Sequence, residues 1–134
     1  MTIDAEHSEQ IISLYGGSTP VRSRWTYRAH EPFTVAAAFQ TDKDRWVEWI
    51  FGRDLLVDGL SGPAGEGDVR LSPDVVDGHA VLVLEIESPD GHALLEMDYE
   101  AVQNFLATTA AMVPLGTESD YFDIDALIEE ITNV

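Results

Sequence analysis

Histidine and carboxylate side chains are the residues of this chain best suited to metal binding or acid–base chemistry. Their spacing in the sequence indicates neither function. The four histidines are scattered, and none lies at metal-ligand spacing from another histidine or a carboxylate, so a metal site would need folding to assemble it (His7, His30, His79, His92). No serine has the G-x-S-x-G setting of a hydrolase nucleophile, and the chain has no cysteine. The 25 carboxylates are too numerous to single out an acid–base pair. The sequence therefore predicts no catalytic residue, no metal and no cofactor, and favours a protein that is not an enzyme.

Two further stretches have the composition of ligand loops but a better structural explanation. Residues 61–67 contain a G-x-G step that leads into a predicted strand instead of a helix, which argues against phosphate binding. Residues 120–125 are acidic but lack the D-x-[DN]-x-[DN]-G pattern of an EF-hand loop. We expect these carboxylates to cap a helix, where the positive end of the helix dipole favours them.

The charge of the chain excludes several classes of partner. The formal net charge is −18, all seven basic residues precede position 71, and the last 64 residues hold fourteen carboxylates. Such a field repels nucleic-acid phosphates and anionic lipid headgroups. The N-terminus is acidic with no apolar run behind it, and no segment approaches the roughly 18 apolar residues that a membrane span needs. We expect a cytoplasmic protein with no nucleic-acid partner and no direct membrane insertion, and the lack of cysteine fits a reducing compartment.

Three arginines form a stripe within the predicted strand Val21–Arg28. Alternation places Arg22, Arg24 and Arg28 on one face, and apolar residues including Trp25 and Tyr27 on the other. One interpretation is a solvated face whose arginines balance nearby carboxylates. The other is a docking stripe for an acidic peptide or a nucleic-acid strand.

The stretch VEWIFGRDLLVDGL, residues 47–60, is one of the densest apolar segments of the chain. It reads as a strand to Phe51, a break at Gly52, and a short helix over Arg53–Leu60 that Gly59 would end. Trp46 falls on the strand face opposite Trp49 and Phe51, beside Glu48 and Ile50. Either a helix covers that face, or it is an exposed apolar patch for a partner.

The remaining pattern predicts seven strands and three helices in one domain of 134 residues, with residues 1–7 as a loose lead. A strand from Asp68 should stop at Pro73, a helix capped by Asp98 should end at Pro114, and a last helix should be capped by Asp120 or Asp123. That last helix carries an apolar stripe (Ile124, Leu127, Ile128, Ile131). The order is four strands, a short helix, three strands and two helices, without βαβ alternation. We therefore expect an α+β fold with a mostly antiparallel sheet. The remaining predicted strands are Ser8–Tyr15, Phe33–Gln40, Ala80–Glu87 and Ala93–Met97.

Several strings in this sequence together resemble the SsgA-like family of small sporulation and cell-division proteins of actinobacteria. They are VEWIFGRDLLVDGL, GEGDVRLSP, SPDGHALLE, and the tail FLATTAAMVPLGTE with FDID. The resemblance runs from about Tyr27 through Ile131. It implies a whirly-like fold of sheets and helices that assembles into a homo-oligomer, with a trimer as one form, and it implies no enzymatic activity.

The resemblance also implies a role at the division septum. It implies a protein that recruits the tubulin-like protein FtsZ to future septum sites during sporulation and promotes its polymerisation, with an SsgA-type paralogue as a partner. Alternatives are an adaptor that directs cell-wall remodelling enzymes or, against the charge of the chain, a whirly-type binder of single-stranded nucleic acid. The candidate partner-binding residues are the arginine stripe, for an acidic tail, and a patch around Trp46, for a helix or an oligomer contact. Because the last helix is acidic, we expect membrane contact only through another protein.

Overall fold

The computed structural model describes residues 5–15, 19–41, 44–89, 91–122 and 124–132. Seven strands and three α-helices follow the predicted order, so the α+β prediction is confirmed. The strands are β1 (Ala5–Leu14), β2 (Pro20–Arg28), β3 (Thr34–Gln40), β4 (Trp46–Gly52), β5 (Val69–Val76), β6 (His79–Ser88) and β7 (Gly91–Asp98). The helices are α1 (Arg53–Ser61), α2 (Tyr99–Met112) and α3 (Ile124–Thr132), with a 3-10 turn at Glu118–Asp120.

All seven strands form one antiparallel sheet in the order β4-β3-β2-β1-β7-β6-β5. The two halves of the sheet join through a short pairing, in which Ser13 and Leu14 of β1 lie opposite Glu96 and Leu95 of β7. Helices α1 and α2 pack against one face of the sheet, which we call the inner face. The opposite, outer face carries the alternate side chains of every strand.

The core lies between the inner face and the two helices, and Trp25 of β2 is at its centre. The Trp25 ring lies 6.1 Å from Phe39, 6.0 Å from Phe51 and 6.3 Å from Phe105 of α2, centroid to centroid. Its indole nitrogen donates to the Ser23 hydroxyl at 3.0 Å, so the buried N–H has a partner. The inner residues of β2 are therefore core, as the alternation predicted, and the arginines of the stripe face outward.

The prediction that Pro73 ends the fifth strand is wrong. Strand β5 runs on to Val76, with Pro73 opposite Leu82 of β6. The hydrogen bond from the Glu87 N–H to the Asp68 carbonyl shows which alternate residues of β5 bond to β6. Pro73 belongs to the other set, whose backbone groups point away from β6. Because β5 is an edge strand, the N–H that proline lacks would have pointed to solvent, and no ladder bond is lost.

Three further boundaries differ from the sequence predictions. Ala5, Glu6 and His7 belong to β1 and pair with β2, so they are not a loose lead; residues 1–4 lie outside the described residues. Gly59 does not end α1, which continues to Ser61; a Cβ there would lie 2.8 Å from the Cβ of Leu71, so glycine lets the helix approach β5. Asp98 caps α2 as predicted, by accepting from the Ala101 N–H at 3.1 Å, whereas Asp120 lies in the 3-10 turn and Asp123 is outside the described residues.

A buried ion pair between Arg53 and Glu118, which we call the clamp, joins the segment after α2 to the start of α1. Arg53, the first residue of α1, is fully buried and donates to the Val113 carbonyl at 2.7 Å and to the Thr109 carbonyl at 3.3 Å. Its other terminal nitrogen donates to the Glu118 carboxylate at 2.7 Å. These contacts neutralise the guanidinium and give the Val113 carbonyl, just past the end of α2, a donor. The Thr109 carbonyl also accepts from the Val113 N–H at 2.9 Å. The guanidinium carbon also lies 4.9 Å from the ring centroid of Tyr27.

We predict that Arg53→Met destabilises the fold by about 3–5 kcal/mol, because it leaves Glu118 buried without its cation and the end of α2 without its donors. Urea unfolding followed by far-ultraviolet circular dichroism measures the loss. Arg28→Met is the matched control, since Arg28 is exposed and has no ion pair within the described part of the chain. A loss in Arg53→Met no larger than in this control would contradict the role of the clamp.

The same ion pair predicts a pH dependence. The hydrogen bond from Arg53 holds the pKa of Glu118 below its ordinary value in the folded protein. The pair therefore contributes its full stability above the ordinary pKa, and this contribution is lost as the pH falls through the folded pKa. Glu118→Gln should lose less stability than the parent protein on acidification through this range. Parallel acid-side profiles of the two proteins would count against the pair.

Candidate interaction surface

The outer face of β1–β4 brings the sequence-predicted site residues together. Register places Arg24 of β2 opposite Ala38 of β3, and Ala38 opposite Glu48 of β4. In the neighbouring rows, Ala36 lies opposite Ile50, and Gln40 lies opposite Trp46. We call this surface the arginine face (Arg22, Arg24, Arg28, Ala36, Ala38, Trp46, Ile50). The small alanines leave a shallow strip between the arginines on one side and the large β4 side chains on the other.

Arg24 extends across this strip to reach β4. Its guanidinium carbon lies 4.4 Å from the ring centroid of Trp46, which is within cation–π range. Its Nε lies 3.3 Å from the Glu9 carboxylate of β1, in an exposed ion pair. The guanidinium is therefore held near the edge of the sheet with part of its donor capacity free.

The arginine face is exposed at several positions, although Trp46 itself is half-buried and contacts the Arg24 guanidinium. Ile50 is 55% exposed. Arg22 and Arg28 are exposed, and neither forms an ion pair with a described residue. All four sequence-predicted residues thus lie on one face, and their binding of a partner stays a prediction.

Charge is segregated over the outer face. The outward side chains of β1–β4 include three arginines, whereas those of β5–β7 include five carboxylates (Asp74, Glu85, Glu87, Glu96, Asp98). Arg70 is the basic residue of that second half, and it is already paired with Glu85 and Glu87. A hydrogen bond from His92 and the charge of Arg70 lower the pKa of Glu85. Among the described residues, the arginines without an ion pair therefore lie on β2 or just before β4, and none lies on β5–β7.

An apolar groove lies on the inner face beyond the end of the helix layer. It has a volume of about 370 Å³ and is lined by residues of six strands (including Leu14, Val21, Phe39, Val47, Trp49, Ile86, Leu95). Val47 is 46% exposed within it. Sequence alternation assigned Val47 and Trp49 to the core face, but it gave no sign that the helices stop short of them. The groove was missed for this reason.

Helix α3 presents the apolar stripe that the sequence predicted. Its residues Leu127, Ile128 and Ile131 are 39%, 52% and 64% exposed. The preceding Phe122 packs edge-on against Phe33, with 6.1 Å between centroids, which holds the chain just ahead of the helix.

Two negative findings concern the described residues. They contain no group of three or more histidine, aspartate and glutamate side chains arranged to hold a metal ion. None of the helices described is both long enough and apolar enough to cross a bilayer.

Comparison with known proteins identifies the family. Residues 21–118 match the family model described as "Streptomyces sporulation and cell division protein, SsgA". The chain belongs to the SsgA family. It is 39% identical over 130 residues to the sporulation-specific cell division protein SsgB of Streptomyces coelicolor, covering 97% of this chain and 95% of that protein. It is 41% identical over 125 residues to SsgB of Frankia casuarinae, covering 93% and 87%.

Solved structures of the SsgA family share this fold. One is SsgB, reported with mutations that correlate with longitudinal cell division during sporulation of Streptomyces coelicolor. It matches with a TM-score of 0.84 and 40% identity over 88% of this chain and 95% of that chain. The other is the SsgA-like sporulation-specific cell division protein of Thermobifida fusca. Its TM-score is also 0.84, with 35% identity over 97% and 98%. These relatives support a role in sporulation and cell division.

The two faces of β4 predict different costs for its two tryptophans. Trp49→Ala removes a side chain that packs against the core, and we expect a loss of about 3 kcal/mol. Trp46→Ala removes an outer-face ring and one cation–π contact, and we expect a loss of about 1 kcal/mol or less. Urea unfolding of the two variants measures the difference. Equal losses would show that Trp46 is a structural residue and not part of an available surface.

Proposed function

We propose that this protein is a sporulation-specific septation adaptor that recruits FtsZ to future septum sites and promotes its polymerisation. The relatives named SsgB support the cell-division part of this proposal. The observation that carries the adaptor role is the arginine face. Arg22 and Arg28 are exposed with no ion pair among the described residues, Ile50 on the same face is 55% exposed, and the net charge of the chain is −18. Such a patch suits a partner that offers carboxylates and apolar side chains together.

Recruitment and polymerisation both follow from repeated binding. A filament of identical subunits offers the same site many times, and a homo-oligomeric adaptor offers several arginine faces. Linking weak contacts in this way raises the overall affinity by orders of magnitude without any new contact. Self-association of this chain, with a trimer as one form, is part of the proposal, as is action beside an SsgA-type paralogue.

The charge of the chain decides against two other partners. A net charge of −18 opposes single-stranded nucleic acid, whose affinity for proteins depends on neutralising phosphates. It also opposes direct contact of the acidic helix α3 with anionic lipid, so we propose that membrane contact and septal localisation come through other proteins. An adaptor for cell-wall remodelling enzymes would use the same face, and the identity of the captured partner distinguishes it. In either role the protein acts by binding and not as an enzyme.

We predict that Arg22→Gln, Arg24→Gln and Arg28→Gln combined sharply reduce co-sedimentation with FtsZ polymers under GTP, because the cations that face the partner are removed. The matched control combines Gln103→Glu, Asn104→Asp and Ala107→Glu on exposed positions of α2, which lowers the net charge by the same three charges. The control should pellet like the parent protein at the same salt concentration.

Equal pelleting of the arginine variant and the parent would exclude the arginine face as the FtsZ site. Absence of pelleting for the parent protein itself, with unchanged light scattering of the polymer, would overturn the FtsZ proposal and favour the wall-remodelling partner.

A further inference from the structure

The two edge strands of the sheet, β4 and β5, differ in whether their free backbone groups are blocked. A sheet edge exposes unpaired N–H and C=O groups, and proteins normally block them against pairing with another strand. At the free edge of β5, the backbone groups that point away from β6 are blocked at three successive positions. Leu71 exchanges two backbone hydrogen bonds with Ala64, at 2.8 and 2.9 Å. Pro73 has no N–H, and the N–H of Val75 donates to the Asp74 carboxylate at 2.8 Å.

The edge of β4 has no such device among the described residues. The Arg53 N–H donates to the Phe33 carbonyl, and the Thr41 N–H donates to the Arg45 carbonyl. With the register between β3 and β4, these bonds assign Val47, Trp49 and Phe51 to the bonded positions. The backbone groups of Trp46, Glu48 and Ile50 therefore point to the free edge. The exposed strand holds no proline or lysine, and its one charged residue is Glu48.

We propose that the β4 edge accepts an extended segment of a partner protein, which adds to the sheet as an eighth strand in antiparallel orientation. Three residues supply backbone donors and acceptors at alternate positions, which is the requirement for strand addition. Directly opposite residues of an antiparallel pair share a face, so the side chains of the segment would alternate between the arginine face and the apolar groove.

The surroundings of the edge define the chemistry of that segment. On the inner side, Val47 and Trp49 border the apolar groove, which favours apolar side chains at alternate positions. On the outer side, the Arg24 guanidinium stands over Trp46. The exposed Arg45 immediately precedes β4 in the chain. Acidic side chains are therefore favoured opposite Trp46 and Arg45, at the C-terminal end of an antiparallel segment, whereas Asp44 disfavours an acid at the next position. Glu48 disfavours an acid opposite itself.

A second copy of this chain fits the edge less well. The β5 edge of another copy is blocked, and the symmetric alternative is pairing of β4 with β4. A register that used the edge-pointing backbone groups of Trp46, Glu48 and Ile50 would place Glu48 opposite Glu48 of the other copy. It would also join two chains of net charge −18. Like charges directly opposite each other destabilise a strand pair. The occupant is thus a segment of another protein.

The inference deepens the proposed function, since it gives the chemistry by which an adaptor would bind its partner. The probe is a capped, fluorescently labelled peptide of sequence Val-Val-Thr-Val-Glu-Glu, and its binding is followed by fluorescence anisotropy. Placed antiparallel, its threonine lies opposite Glu48 and its first glutamate opposite Trp46. N-methylation of these two residues should weaken binding by about tenfold or more, because their amides point at β4. N-methylation of the two residues on either side of the first glutamate should leave binding unchanged, because their amides point away from β4.

Variants of the protein supply the complementary test. Glu48→Pro removes an outward N–H, as Pro73 does in β5, and should abolish binding, whereas Glu48→Ala should retain it. The double variant Arg24→Gln/Arg45→Gln should weaken binding of the probe. It should not weaken binding of a peptide in which glutamine replaces both glutamates. Equal binding of both N-methylated peptides, or no binding of the parent probe, overturns the inference even if Glu48→Pro fails to fold.

The two proposals fail separately. Binding of the peptide with no co-sedimentation of FtsZ supports strand addition and removes FtsZ as the partner. Co-sedimentation of FtsZ that is unchanged in a folded Glu48→Pro variant retains the adaptor role and removes the β4 edge from it.

Discussion

The buried guanidinium of Arg53 is the interaction on which the arrangement of the helices depends. One side chain at the start of α1 satisfies carbonyls at the end of α2 and pairs with Glu118 in the next turn. Removing such a cation from water costs several kcal/mol, so the position is stable only with its partners in place. The clamp therefore couples the strand–helix unit of β4 and α1 to the C-terminal segment that leads into α3.

This coupling has a consequence for the surface. Strand β4 ends where α1 begins, so the clamp at Arg53 also fixes the far end of the open edge. The edge lies between the arginine face on one side and the apolar groove on the other. Because β4 is already an ordered strand, only the partner segment has to become extended on binding. This lowers the entropy cost of strand addition. The blocked edge of β5 limits pairing to one side of the sheet.

Sequence alternation was sufficient to predict the strands, the outward arginines and the outward Trp46, because each depends on neighbours along the chain. It failed where the outcome depends on tertiary position. Pro73 is compatible with a strand only because β5 is an edge, and Gly59 lies within α1 because Leu71 packs against it. The role of Arg53 required knowledge that Glu118, 65 residues later, lies beside it. The groove and the open edge of β4 are likewise properties of sheet order and helix length, which no local pattern encodes.

The most direct test of the account is amide hydrogen exchange of the protein alone and with FtsZ polymer under GTP, resolved at single residues. The amides of Trp46, Glu48 and Ile50 have no acceptor within the described structure and should exchange rapidly in the free protein. Binding through the β4 edge predicts strong slowing at these three positions, with little change at Val47 and Trp49, whose amides already belong to the ladder. Unchanged exchange at all three positions, in a sample where the protein is bound to the polymer, would contradict it.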